Sequence, residues 1–395
     1  MPSRPSVPLS VLDLCPVPTG ESVREALRRS VDLACRAEQW GYTRYWVAEH
    51  HNLPGIASSA PAVLTGQIAS ATSAIRVGSG GVMLPNHSPL TVAEQFGMLE
   101  AMYPGRIDLG IGRAPGTDRA TARALRRSPA GLSAVDYASQ VAELRAYFTG
   151  RPAQDRQAED RQAEDRQAED RQAQDGQAGQ IRAIPAEGNE PAVWLLGSTG
   201  YSAEMAGLLG LPFAFAYHIS AANARPALAL YRRVFRPSAL LAEPYCLISV
   251  SVLCAQDAEA AHWRHGSTRL STLRLRTGQP STLPSPQEAA DRAYSDAERA
   301  VIAEATASHV VGDPVTVAEQ LDRLAETTGA DELMLTTSTF AHADRLTSYE
   351  LLAPASGRGE QRASAQRGAA PAVVLEHVGH AGGPGQPADP AEGLR

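Results

Sequence analysis

The chain has 395 residues, 43% of them hydrophobic, a formal charge of −7 and a pI near 5.8, a length that suits one large barrel of ~250 residues or more. The acidic balance argues against nucleic acid or an anionic membrane as partner, since both need a dense positive field. All 36 basic side chains are arginine, which excludes mechanisms built on a Schiff-base or P-loop lysine and leaves small-molecule chemistry as the expectation.

Residues Met1 to Pro8 lack the apolar core of a signal peptide, and no 18-residue apolar run follows, so a cytoplasmic protein is expected. Cys15, Cys35, Cys246 and Cys254 show no Cys-x-x-Cys spacing and read as reduced thiols, not as a disulfide framework or metal site. From Val7 onward, short apolar runs alternate with longer amphipathic ones, the pattern of repeated strand-helix units in a parallel sheet. The first four strands are expected at Leu9–Leu14, Arg44–Ala48, Ile75–Leu84 and Ile107–Ile111. Helices are expected at Ser22–Gln39, Ala60–Ala71, Leu90–Met102 and Ser133–Phe148. Ser22 followed by Glu25 has the spacing of a capping box.

Between residues 151 and 180 the run Gln-Ala-Glu-Asp-Arg recurs with a period of five from Gln157. Alanine is its only apolar residue type, so it reads as a solvated insertion, either a variable lid or an inert surface segment. Units then resume with strands at Val193–Leu196, Phe213–Ala216, Tyr245–Cys254 and Glu332–Thr336, giving eight, and the tail at 355–395 is expected to be disordered. The expected architecture is a single (β/α)8 TIM barrel over residues 7–354, interrupted by the 151–180 insertion.

Such a barrel collects reactive groups at the C-terminal strand ends. After the second strand come Glu49, His50 and His51. His50 can act as a general base or hydrogen-bond a bound ring. A metal role competes poorly, because adjacent side chains diverge and no further ligand cluster follows. Glu49 is either a cofactor contact or a buried structural carboxylate. In the third strand Gly80 and Gly81 leave room for a planar ring, or mark a β-bulge. Arg113, after the fourth strand, suits a phosphate or a surface ion pair. The run Leu196-Gly-Ser-Thr-Gly-Tyr-Ser202 opens a helix, where Thr199 and Ser202 either help bind an anion or supply an ordinary N-cap.

Together these residues resemble the bacterial-luciferase-like flavin monooxygenases over about Val7 to Leu352, outside the insertion. The resemblance rests on Trp46 to His51, Arg76 through Leu84-Pro85 followed by Pro89, Pro104 to Arg113, Gly197 to Ser202 leading to Gly210-Leu-Pro, and Val311 to Pro314 followed by Gly329 to Met334. It implies His50 as the catalytic residue, Glu49 and Gly81 beside the flavin ring, and Arg113, Thr199 and Ser202 on the phosphate, flanked by Leu196 and Ser198. Tyr217 and His218 fall where the family lines its substrate cavity. The resemblance further implies reduced FMN delivered by a separate flavin reductase, molecular oxygen, a small organic substrate, and a homodimer formed through helices beside the early strands. Gly112 stands where luciferase has a reactive cysteine, so light emission with an aldehyde is not implied. Alternatives are a deazaflavin-dependent dehydrogenase of the same superfamily, a flavin-binding protein without turnover, and a metal-dependent barrel hydrolase.

Overall fold

The computed structural model describes residues 5–114, 118–125, 134–150 and 181–353, so the insertion at 151–180 and the tail at 355–395 lie outside the described residues. Among the described residues nine strands form: β1 Leu9–Asp13, β2 Arg44–Val47, β3 Arg76–Met83, β4 Ile107–Gly112, β5 Ala192–Gly197, β6 Phe213–Phe215, β7 Cys246–Cys254, β8 Val310–Gly312 and β9 Glu332–Thr336. Neighbours pair in the order β6-β5-β4-β3-β2-β1-β9-β7, and β6 pairs with β7, so eight parallel strands close a barrel. This is the expected (β/α)8 architecture. The sequence reading did not foresee β8, which pairs outside the ring with the end of β7, Val310 opposite Val252. At three residues it is too short to show a period.

β1, β2, β4 and β9 are buried at every position, as strands covered on both faces must be. Helices α1 Val23–Gln39, α2 Pro61–Ala71, α3 Pro89–Met102, α4 Arg119–Ala124 and α5 Ala134–Thr149 precede β5. After it come α6 Gly200–Leu209, α7 Tyr217–Ser220, α8 Ala224–Val234, α9 Ala258–Arg276, α10 Pro286–Asp291, α11 Asp296–Ala305, α12 Pro314–Thr328 and α13 His342–Leu352. The Ser22 capping box is present: the Ser22 hydroxyl accepts from the Glu25 N–H, and the Glu25 carboxylate accepts from the Ser22 N–H. No helix among the described residues is long and apolar enough to cross a membrane.

Inside the barrel, Leu12, Trp46, Trp194, Leu247 and Met334 form one cluster, with the two indoles edge to face at 5.2 Å. At the N-terminal strand ends lies a buried ion network. Arg44 donates to Glu332 at 2.7 and 3.0 Å and to Asp108 at 2.9 Å, and its guanidinium sits 4.7 Å from the Trp194 ring. Asp108 also accepts from Arg76 at 2.6 Å and from the Trp46 indole at 2.9 Å. Glu332 also accepts from Ser10 and Tyr245. Burial alone would raise the Asp108 pKa, but Arg76 and Arg44 hold it below the usual carboxylate range. A second buried carboxylate, Asp13, accepts from Ser30 at 2.6 Å and Tyr45 at 2.5 Å and pairs with Arg345, joining α1 and α13 to β1 and β2.

Removing one partner of a buried ion pair leaves an uncompensated charge. Arg44→Met is therefore expected to lower unfolding free energy by about 3–5 kcal/mol in urea titrations. Because the Asp108 pKa is depressed in the fold, its stabilisation is present above the unfolded carboxylate pKa of about 3.9 and is lost as pH falls through the lower folded value. Asp108→Asn should flatten that acid limb; an unchanged limb would remove Asp108 as its source.

Candidate active site

Glu49 follows β2 and is fully buried. Its carboxylate accepts from the Met83 N–H at 2.9 Å and the Asn86 amide at 2.9 Å, with His51 Nε2 at 2.9 Å and His87 Nε2 at 3.0 Å. Burial raises its pKa, but these partners, His87 foremost, bring it below the usual value. Glu49 thus fastens the end of β2 to the turn after β3. The partners Asn86 and His87 are absent from any recognisable motif, which is why the sequence did not reveal them.

His50, one residue on, differs from its neighbour: its backbone N–H donates to Ser58, while its buried Nδ1 has no hydrogen-bond partner among the described residues. Burial, then the nearby His218, then His51 depress its pKa to about 4 against the opposing pull of Glu49. His50 is accordingly a neutral imidazole at neutral pH, with proton-accepting capacity to spare.

The Gly80–Gly81 peptide is cis, and the β3–β4 register shifts between Gly80 and Val82, so the irregular strand of the bulge reading is present. A Cβ on Gly81 would lie 2.7 Å from the Gly110 carbonyl oxygen and 2.9 Å from Leu196 Cδ2. The close approach of β3, β4 and Leu196 therefore already requires glycine there. Leu196, partly buried, packs against the interior cluster of Trp46 and Trp194.

At the end of β5 the hydroxyls meet α6. Thr199 holds the N-cap position, yet its side chain makes no capping hydrogen bond, so ordinary N-capping is not what this residue does. Ser202 is buried under Gly197, where any side chain would collide with it. Arg113 lies with its guanidinium carbon 4.9 Å from the ring of Tyr201, the second residue of α6. The structure thereby brings Arg113 together with Ser198, Thr199 and Ser202 around a helix N-terminus, whose dipole and free N–H groups favour an anion. Tyr201, the platform for Arg113, was not singled out in the sequence.

A cavity of about 290 Å³ opens at the same end of the barrel. Its apolar lining includes Leu14, Ile56, Val252 and Leu283, and its polar lining includes His218, His265 and His309. Among the described lining residues none is a carboxylate. His218 thus lines the cavity as the resemblance implied, whereas Tyr217 does not.

By fold the protein is a TIM barrel, a class that places its chemistry at the C-terminal strand ends. The model of the luciferase-like monooxygenase family matches residues 8–332, and the chain belongs to that family. It is 50% identical over 345 residues to the protein YvbT of Bacillus subtilis (87% of this chain, 95% of the relative). It is 42% identical over 346 residues to a luciferase-like monooxygenase of Escherichia coli (88% and 96%). Among solved structures, apo-MsnO8 matches with a TM-score of 0.74 at 36% identity, covering 88% of this chain and 96% of that one. The fold alone is shared with the FMN complex of the oxygenating constituent of a 3,6-diketocamphane monooxygenase from Pseudomonas putida (TM-score 0.63, 17% identity, 88% and 97% covered). It is shared likewise with an F420-dependent secondary alcohol dehydrogenase (TM-score 0.59, 13% identity, 88% and 98% covered).

If Glu49 anchors the turn after β3, Glu49→Gln, which turns one acceptor into a donor, should loosen residues 83–87 by about 1–3 kcal/mol. Hydrogen exchange at the Met83 amide reports this directly; unchanged protection would show that the carboxylate does not hold the turn.

Proposed function

We propose that the protein is an FMN-dependent monooxygenase whose cofactor phosphate binds at the N-terminus of α6. The observation that carries this reading is a helix end left uncapped by Thr199 with Arg113 stacked beside it on Tyr201. Backbone N–H groups, hydroxyls and a guanidinium are the donor set that a phosphate dianion requires. Reduced FMN, supplied by a separate reductase, would deliver two electrons to dioxygen, so that one oxygen atom enters an organic substrate and the other leaves as water. Arg113, Ser198, Thr199 and Ser202 would hold the phosphate. The Gly81 backbone and Leu196 would contact the ring, and Glu49 would act indirectly by fixing the β3 turn. His50 accepts or returns a proton at the reacting centre, and the carboxylate-free cavity takes a neutral or anionic substrate with an apolar body. A deazaflavin coenzyme is the second reading, favoured by the fold shared with the F420-dependent dehydrogenase.

Anaerobic titration tests the assignment. Reduced FMN should bind about 10- to 100-fold more tightly than reduced riboflavin, the difference that charge-assisted hydrogen bonds supply. Arg113→Ala should erase most of that advantage and leave riboflavin unaffected. Equal affinity for the two flavins would contradict the phosphate site, and preferential binding of the deazaflavin would favour the second reading. His50→Gln should leave FMN affinity intact but slow turnover on the order of 100-fold. With the His50 pKa at about 4, the wild-type rate should stay level from pH 5.5 to 8 and fall only as His50 protonates. An acid limb near 6.5 would exclude His50 as the group.

A homodimer is part of this reading. Val63 on α2 and Met98 and Met102 on α3 are 75%, 52% and 61% exposed, a degree of apolar exposure that suits a covered face. Light scattering should return twice the chain mass; the mass of one chain would contradict it.

A further inference from the structure

The cavity at the C-terminal strand ends is a preformed chamber. One wall is α9, tied to the end of β9 by the Thr268 hydroxyl, which donates to the Ser338 carbonyl oxygen at 2.9 Å. Its roof is laced by backbone hydrogen bonds: the Leu283 N–H donates to the Val17 carbonyl at 2.8 Å, the Thr19 N–H to Leu283 at 2.9 Å and the Val17 N–H to Gly55 at 2.9 Å. A Cβ on Gly55 would lie 2.6 Å from the Ser281 carbonyl oxygen, so the roof segments meet backbone to backbone. At about 290 Å³ the chamber stands at the small end of ligand pockets, which run from about 300 to 1,000 Å³. None of the residues read above as cofactor or proton contacts lines it, so it is suited to a second, smaller molecule.

The residues that α9 gives to this chamber form one stripe. His265, Thr268, Thr272 and Arg276 line it, at steps of three and four residues that return to the same helix face. His265, 7% exposed, has its Nε2 2.9 Å from Nδ1 of His309, which lines the chamber too. Burial, with His309 and then Arg269 and His262 adding to it, holds His265 at about 3, and burial with His218 holds His309 at about 4. Both rings are therefore neutral at neutral pH. With one proton between the two facing nitrogens, the outer nitrogens of the pair present one donor and one acceptor in either tautomer. Arg276, the last residue of α9, is exposed at the other end of the stripe. Arg274, two residues earlier, is taken up by Glu288 and by the Ser281 hydroxyl at 3.2 Å, whereas Arg276 has no hydrogen bond or ion pair among the described residues. Arg276 is the one permanent charge among the described lining residues.

We propose that this chamber binds a small organic carboxylate end to end, with the carboxylate on Arg276, an apolar body along the wall, and a hydroxyl or amide on the His265–His309 pair. The proposal deepens the functional reading above and rests on it only for calling this molecule the substrate. Guanidinium and carboxylate form a charge-assisted pair, and no acidic side chain of the described lining competes for Arg276. A hydroxyl or amide both donates and accepts, so it matches whichever tautomer the histidine pair adopts. From His265 to Arg276 the helix axis advances about 16 Å, which, less the reach of the two side chains, suits a body of about eight carbons. Leu14, Ile56, Val252 and Leu283 supply apolar surface for it.

Calorimetric titration of the protein without added flavin tests both ends of the site, with 8-hydroxyoctanoate, octanoate and 1,8-octanediol as probes. 8-Hydroxyoctanoate should bind about 10-fold more tightly than the diol, which lacks the charge, and about 3- to 10-fold more tightly than octanoate, which lacks the hydroxyl. Arg276→Gln should erase the advantage over the diol and leave diol binding as it was. Arg269→Gln, which removes an exposed arginine of the same helix outside the chamber, should change neither. His265→Phe should erase the advantage over octanoate and keep the one over the diol. Equal binding of the hydroxy acid and the diol, or the same loss in Arg269→Gln as in Arg276→Gln, would overturn the carboxylate site. Equal binding of the hydroxy acid and octanoate would overturn the role of the histidine pair, and no binding of any probe would overturn the proposal outright. Because no flavin takes part, these outcomes are read independently of whether reduced FMN binds, and the failure of either reading is told apart from the failure of the other.

Discussion

The guanidinium of Arg44 is out of reach of water at the N-terminal end of the barrel, and the whole ring of strands is arranged to match it. Asp108 on β4 and Glu332 on β9 pair with it directly, Arg76 on β3 balances the second oxygen of Asp108, and Ser10 on β1, Trp46 on β2 and Tyr245, the residue before β7, complete the hydrogen bonding. A buried network of this kind is costly unless every member is satisfied. Satisfying it demands one register among the participating strands, because a slip of one residue would turn the charged side chains out of the barrel. The register set at this end determines where the opposite ends of β2, β3 and β4 deliver Glu49, Gly81 and Arg113.

At the functional end the logic reverses, and groups are left unsatisfied. Among the described residues the Nδ1 of His50 has no hydrogen-bond partner and the N-terminus of α6 has no side-chain cap. Several other helices begin with side-chain caps, among them those at Ser22, Asp257, Ser285, Ser295 and Asp313, while α2, α3, α8 and α13 share the uncapped start of α6.

Much of this is legible in the amino-acid sequence. The eight barrel strands follow from apolar runs covered on both faces, and the strand ends at His50, Arg113 and Thr199 follow from the rule that chemistry gathers there. What escaped the sequence depends on contacts across long separations. The Arg44–Glu332 pair spans 288 positions, and the His265–His309 pair spans 44.

A crystal structure of the protein grown with FMN tests the central claim most directly. The account predicts the phosphate on the backbone N–H groups at the start of α6, within hydrogen-bond reach of Arg113 and the Ser198 and Thr199 hydroxyls, with the ring over Leu196 on the side of His50. A phosphate bound elsewhere, or a ring turned away from His50, would contradict it.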